Sequence, residues 1–383
     1  MKILHYLQRI RLVEGGVVRA VLDLCTLLAR AGHQVTLAVC DDTDAPVEWA
    51  APDSPNVIVL DKPTRPMGLF GGEGRSQIRR LVETADVVHL HTPWELANAQ
   101  FARDADRSKT PYILTVHGML DDWSMAQKPL KKRLFLRVFG RRLLDRAAAV
   151  HCTAEAERTQ ASRWFDGRKA RVVPLIFDMD SFRTLPGPKR ARKQFMPDGK
   201  GPMLLYLSRL HYKKGIEHLI RASAILRERG VACTTLIAGA GDDAYERSLR
   251  TLTTDLGLDD RVRFLGMIVG DMKVSLFQAA DLFVLPTSQE NFGFVLIESL
   301  AAGTPVITTR GVDIWQELEG TGAAEIVEPN HTQIADAITR WLDDPKRRDK
   351  AGRDGRAWVL EQFDGGAIAR QYEQLYREAI VGG

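Results

Sequence analysis

Short apolar runs alternate with longer segments of helical period along the whole chain. In the first half the runs Lys2–Leu7, Val35–Val39, Val57–Leu60, Val87–Leu90, Ile113–Val116 and Ala148–Cys152 are nearly continuous in apolar residues. That is the form of strands buried on both faces. The segments between several of them carry helical spacing, and Val17–Ala31 predicts a helix that stops at Gly32. The pattern breaks over 185–202, a stretch rich in Pro, Gly and basic residues that reads as a linker. It then restarts. Met203–Leu207, Thr234–Ala238, Val262–Leu265, Leu282–Leu285 and Pro305–Thr308 predict strands. Gly215–Arg229, Ala244–Leu256, Met272–Ala279 and Phe294–Ala302 predict helices. The expectation is an α/β protein with two doubly wound parallel-sheet domains, 1–184 and 203–366, facing across a cleft. The final helix, in 367–383, is expected to pack back on the first. Ligands of such sheets bind beyond the carboxyl ends of the strands.

Composition adds limits. A chain of 383 residues that is 45% hydrophobic has ample material for two cores. A net charge of +4 does not by itself point to nucleic acid or to a membrane. The four cysteines, Cys25, Cys40, Cys152 and Cys233, form no C-x-x-C pair, which argues against a zinc site and a disulfide framework. Reduced thiols in a cytoplasmic protein are expected. The start Met1-Lys-Ile-Leu-His-Tyr-Leu-Gln-Arg lacks the apolar core of a signal peptide, and no run of roughly twenty apolar residues is present. The expected protein can lie on the inner face of a membrane but does not span one.

The most informative stretch is Glu290-Asn-Phe-Gly-Phe-Val-Leu-Ile-Glu298, followed by Ser-Leu-Ala-Ala-Gly-Thr-Pro. A turn at Asn291-Phe292-Gly293 leads into an apolar run that opens a helix. Free N–H groups at that helix start suit an anion, and Glu298 projects from the same helix about two turns on. Ser208-Arg209-Leu210 ends the first strand of the second half, and Lys213-Lys214-Gly215 opens the next helix. Arg and Lys at a strand end suit phosphate, the first by paired hydrogen bonds and the second as a point charge. Gly239 and Gly241 follow another strand, and Gly15-Gly16 lies between the first strand and first helix. Each reads either as a close ligand approach or as a plain tight turn. His117 ends a strand, where a lone histidine is more often structural than functional. His89-Leu-His91 places two imidazoles on one strand face, but no nearby Cys, Asp or Glu completes a metal set, so no metal is expected. Asp178-Met-Asp180 looks like a cation motif and is set aside. The segment 128–146 holds eight Lys or Arg and the single acid Asp145, with charges on all sides of the wheel. It reads either as a solvated helix or as a contact with anionic lipid. Met67–Gly74 reads as a mobile glycine-rich loop on the acceptor side.

Together these motifs resemble the retaining glycosyltransferases of the two-domain GT-B fold, the group often called family 4, over nearly the whole chain and most strongly from Met203 to Thr309. Val173-Pro174…Asp178…Phe182 looks like that family's domain border, with Leu175-Ile176 in place of Asn-Gly. The resemblance implies two Rossmann-like domains, the first for the acceptor and the second for a nucleotide-sugar donor. It implies that Arg209 and Lys214 bind the donor diphosphate, that Glu298 accepts from ribose hydroxyls, and that Glu290 holds the transferred sugar. Backbone groups of Asn291, Phe292 and Gly293 meet that sugar or its phosphate, with Phe294 beside them. Gly15 and Gly16 sit against the diphosphate, His117 touches the sugar, and Gly239, Gly241 and Met267 line the donor site.

The implied reaction moves a hexosyl group from a UDP- or GDP-sugar to a hydroxyl of a saccharide or lipid-linked acceptor, with retention. No cofactor or metal is implied, and no nucleic acid. Acceptor choice is assigned to loops such as Pro63–Arg75 and Met119–Lys128. Two other readings stay open: an epimerase or phosphorylase on the same fold, and a non-catalytic sugar-nucleotide-binding module.

Overall fold

The near-continuous apolar runs form two wholly parallel sheets. The structure, a computed structural model, describes residues 1–51, 53–64, 68–177, 179–196 and 201–382. It divides into two compact units, Met1–Phe177 with Gly365–Gly383, and Asp178–Asp364.

The first unit holds β1 (Lys2–Tyr6), β2 (Gln34–Val39), β3 (Asn56–Val59), β4 (Val87–His91), β5 (Tyr112–Thr115), β6 (Ala149–Cys152) and β7 (Ala170–Val172). Their order is β3-β2-β1-β4-β5-β6-β7, so the winding reverses between β1 and β4. Strands β4, β5 and β6 are buried at every position, which is why they read so plainly. The three-residue edge strand β7 buries only Ala170 fully and carries exposed Arg171; it has no apolar run and escaped the sequence reading. Helix Gly16–Arg30 buries Val18, Val21, Leu22, Cys25 and Leu28 on one stripe. Gly32, at φ 84°, closes it in the left-handed region. Beneath the sheet, Tyr6 stacks on Phe101 with ring centroids 4.4 Å apart. Both are fully buried, and truncating Phe101 to alanine is expected to cost about 3–5 kcal/mol.

The second unit holds β8 (Met203–Leu207), β9 (Thr234–Ala238), β10 (Val262–Gly266), β11 (Leu282–Leu285), β12 (Val306–Thr309) and β13 (Ala324–Val327). Their order is β10-β9-β8-β11-β12-β13, and the winding reverses between β8 and β11. The edge strand β13, only partly buried over Ala324–Ile326, was also missed by the reading from sequence.

Three expectations need correction. The stretch 185–202 is not a bare linker. Pro188 starts helix Lys189–Phe195, and buried Ala191 donates its N–H to Ser275 Oγ at 3.3 Å. Ser275 Oγ donates in turn to the Gly187 carbonyl at 2.7 Å. The segment therefore belongs to the second unit, whose border falls after Phe177, not at 184; residues 197–200 lie outside the described residues. The glycine-rich loop ends at Gly71, because Gly72–Thr84 is helical, and Met67 lies outside the described residues. Met119–Lys128 likewise contains a short helix, Asp122–Ala126, capped by the Asp121 carboxylate on the Ser124 N–H.

Helix Gly365–Gly382 belongs to the first unit and buries Ile368, Tyr372, Leu375 and Tyr376 there. All four cysteines are free thiols, with Cys25 and Cys152 buried.

Candidate functional site

In the second unit the loops that leave β8, β11 and β12 converge at the reversal of strand order, where open α/β sheets hold ligands. The turn after β8 is short because Tyr212, Lys213 and Lys214 form a single helical turn, closed by Gly215 at φ 65°. A Cβ on Gly215 would lie 2.1 Å from the Pro286 carbonyl oxygen, so only glycine allows this approach. The Lys213 carbonyl accepts from Ser288 N–H at 2.7 Å and from the hydroxyls of Thr287 and Ser288, each at 3.0 Å. From the other side, Glu290 N–H donates to the Gly311 carbonyl at 2.7 Å. Asn291 Nδ2 donates to Asp313 Oδ2 at 3.1 Å.

This clamp brings two of the expected site residues together. The Lys214 ammonium forms an ion pair with Glu290 Oε2. The Lys214 side chain is 10% exposed and that of Glu290 26%. Burial, then the neighbouring Arg209 and Lys213 cations, pull the Lys214 pKa down to about 8. The Glu290 carboxylate opposes them by favouring the charged form. Arg209 is exposed, its carbonyl held by the Tyr206 hydroxyl at 3.0 Å. Three cations and a carboxylate thus lie near one another at the carboxyl end of β8.

Helix Phe294–Ala301 follows Gly293, which sits at φ 69° and supplies no side-chain cap. The Phe292 ring is not at the surface. It packs on Phe294 at 5.0 Å and Phe363 at 5.9 Å, so only its backbone is free to meet a ligand. Glu298 Oε1 accepts from Lys273 Nζ at 2.6 Å; Lys273 was not singled out, since no motif marks it. Met267 is exposed, after Gly266 at φ 69°.

Gly239 and Gly241 have a different explanation from the one expected. A Cβ on Gly239 would lie 1.9 Å from Ser208 O, and one on Gly241 would lie 2.0 Å from Leu210 O. These glycines let the chain beyond β8 lie against the chain beyond β9, through the bridge Leu210–Gly241. Gly15 and Gly16 differ again: a Cβ on either meets nothing within 4 Å. Gly15 needs glycine for its φ of 103°. Gly16 opens the helix with neither crowding nor a left-handed φ to require glycine.

The first unit gathers five of the nine histidines in its core. His117 follows β5 at φ 50°, a conformation uncommon outside glycine. The next residue is anchored by buried Glu157, whose carboxylate accepts from Gly118 N–H, Thr153 N–H and Thr153 Oγ1. His117 Nε2 lies 3.1 Å from His91 Nδ1, and His91 Nε2 lies 3.1 Å from His5 Nδ1. The sequence offered no third ligand near His89 and His91. The fold supplies His5 from β1, bringing one nitrogen of each ring within 4.8 Å of the others, all buried. Burial holds His5 and His117 neutral, both pulled down to about 3. Leu175 and Ile176 are buried, and Asp178 lies outside the described residues.

The basic segment 128–146 is helical in three pieces, Pro129–Phe135, Leu136–Gly140 with a wider turn, and Arg141–Arg146. An apolar face does exist there, contrary to the wheel: Leu130, Leu134 and Val138 are 82%, 63% and 55% exposed.

Two family profiles match adjoining segments. The profile of glycosyl transferases group 1 matches residues 189–358, and that of the glycosyl transferase 4-like domain matches 15–175. A GDP-mannose-dependent alpha-(1-6)-phosphatidylinositol monomannoside mannosyltransferase of Mycobacterium tuberculosis is 27% identical over 88% of this chain and 86% of its own. A D-inositol 3-phosphate glycosyltransferase of Kineococcus radiotolerans is 26% identical over 96% and 91%. The crystal structure of Anabaena HepE in complex with UDP superimposes with a TM-score of 0.81 at 21% identity, covering 98% of this chain and 99% of that one.

Proposed function

The chain belongs to the group 1 glycosyltransferases, GT-B enzymes that use a nucleotide sugar, and we propose that it moves a hexosyl group to an acceptor hydroxyl with retention and without a metal. The observation that carries this reading is the Lys214–Glu290 pair beside Arg209, at the reversal of strand order. Arg209 and Lys214 bind the donor diphosphate, and Glu290 accepts from hydroxyls of the transferred sugar while orienting Lys214. Glu298 accepts from the ribose, and Lys273 holds its carboxylate. Backbone N–H groups of Asn291–Gly293 meet the sugar or its phosphate. In the first unit, Gly16 meets diphosphate and His117 meets the sugar.

In the proposed step the bond between the anomeric carbon and the phosphate oxygen breaks, and the acceptor oxygen bonds to that carbon on the same face. The acceptor proton passes to the departing phosphate oxygen. The cations stabilise the charge that develops on that phosphate, so aligned reactants and electrostatics supply the rate without a strong protein base. Lys214→Ala should abolish transfer from a panel of UDP- and GDP-sugars in a protein that still folds. Wild-type turnover in that variant sinks the assignment, and loss of turnover on chelation with EDTA sinks metal independence. The relative that uses GDP-mannose and the UDP-bound neighbour differ in base, so the panel also decides the donor.

We further propose that the acceptor is lipid-linked and that 128–146 rests on an anionic membrane. Leu130, Leu134 and Val138 recur every four residues, flanked by Lys131, Arg133, Arg137 and Arg141. Among the described residues no helix is long and apolar enough to cross a membrane. Vesicles rich in phosphatidylglycerol should pull down the protein, and salt or a Leu130→Ser/Leu134→Ser double substitution should release it. Equal binding to neutral vesicles refutes the electrostatic part.

A further inference from the structure

Two chains of hydrogen bonds cross the core of the first unit, and proton counting orients both. The first runs from Tyr376 OH to His89 Nδ1 at 2.8 Å, from His89 Nε2 to Thr115 Oγ1 at 2.6 Å, from Thr115 Oγ1 to His151 Nδ1 at 2.8 Å, and from His151 Nε2 to the Val173 carbonyl at 2.8 Å. A carbonyl only accepts, so His151 donates from Nε2 and its Nδ1 is bare. Thr115 therefore donates to His151 and accepts from His89 Nε2–H, and Tyr376 donates to His89 Nδ1. Every ring nitrogen in this chain is satisfied.

The second chain, His5–His91–His117, has no such terminus. A neutral imidazole carries one proton, and each of the two internal hydrogen bonds holds one. Three rings therefore leave a third proton for one of the two ends, His5 Nε2 or His117 Nδ1. His5 Nε2 is buried and has no hydrogen-bond partner. Orphaned N–H groups are the rarer kind of buried unsatisfied atom, since a donor there loses its water with no acceptor in return. His117, at the other end, keeps 8% of its surface exposed.

We infer that His5 and His91 are positioning residues that fix His117 as an Nδ1–H donor, with its Nε2 bare and facing His91. Resting on the reading that His117 meets the transferred sugar, this assigns its partner there: an acceptor oxygen, on a sugar hydroxyl or on the departing phosphate. The strained backbone at His117 and the anchored Gly118 hold the ring against His91. The rings of His5 and His91 stack at 5.4 Å with an interplanar angle of 10°, and their facing nitrogens lie at hydrogen-bond distance, 3.1 Å. That is the geometry of a hydrogen-bonded chain, whereas a bound metal needs converging lone pairs.

The test is a long-range proton–nitrogen correlation spectrum of the imidazole rings in the nitrogen-15-labelled full-length protein without donor. His117, His91 and His5 are assigned by signals lost in H117Q, H91Q and H5Q. The expected pattern is Nδ1–H on all three, against Nε2–H on His89 and His151. Nε2–H on His117 overturns the inference, and so does stoichiometric zinc in the purified protein. His91→Phe should lower kcat on the order of tenfold while the donor KM stays within about twofold; an unchanged kcat also overturns the positioning role. If the spectrum holds but His117→Gln transfers sugar at the wild-type rate, the sugar-contact reading fails and the proton count stands.

Discussion

At the reversal of strand order the second unit gathers charge, and the first gathers neutral rings. Around β8 and β11, Lys214 and the half-buried Glu290 are paired by Coulomb attraction beside the exposed Arg209. Around β1 and β4, His5, His89 and His91 are sealed from water, and burial has removed their charge. The same winding thus supports two kinds of polar organisation. A charged site near solvent keeps its ions and offers them to an anionic ligand, whereas a buried chain of imidazoles offers only the direction of its hydrogen bonds. The first suits binding and charge stabilisation, and the second suits fixing one atom.

The largest expected effect lies on the charged side. Lys214→Ala or Glu290→Ala should cut kcat by at least about a hundredfold, measured by release of nucleoside diphosphate with acceptor present, while circular dichroism stays native. If His91→Phe cost more than Lys214→Ala, the contrast between the two units would be inverted.

The glycines sharpen the contrast in opposite directions. Gly239→Ala forces a Cβ against Ser208 O at a φ of 138°, and should destabilise the protein by about 3 kcal/mol. Gly16→Ala meets open space at a helix start. It should stabilise the fold by about 0.5 kcal/mol yet weaken donor binding. Thermal denaturation and donor calorimetry on the two variants read both signs; a Gly16→Ala protein with native donor affinity removes Gly16 from the site.

These glycines also mark how far the sequence could be read. Spacing picked out the strand ends and the positions Arg209, Lys214 and Glu290, which sit in local turns between a strand and a helix, and Glu298 in the helix that follows; their roles came from the family resemblance. It could not tell why a glycine was needed, since Gly239 answers to Ser208, thirty-one positions away. The histidine chain was illegible for the same reason. His5, His91 and His117 come from β1, β4 and the turn after β5, and only the strand order makes them neighbours. The edge strands β7 and β13 were lost because half-exposed edges need no apolar run.

A smaller effect is expected at the ribose. Glu298→Ala should weaken donor binding about tenfold, or about 1.4 kcal/mol, with kcat nearly kept. Lys273→Ala should weaken it less, since it removes only the support at 2.6 Å. Unchanged affinity in Glu298→Ala refutes the ribose role.

The pH profile separates the units with the least perturbation. Burial and neighbouring cations put the Lys214 pKa at about 8, so the ammonium is charged below that pH and neutral above it. In the free enzyme kcat/KM should be level below about pH 8 and fall about tenfold per unit above it. A bound diphosphate favours the charged form, so the limb in kcat should lie higher than the limb in kcat/KM. On the acid side His117 should contribute nothing between pH 5.5 and 7. Burial holds His117 at about 3, leaving it neutral throughout. A limb near pH 6.5 that disappears in His117→Gln would show a ring that charges on the way to turnover. It would also remove the distinction between a site of ions and a chain of neutral donors.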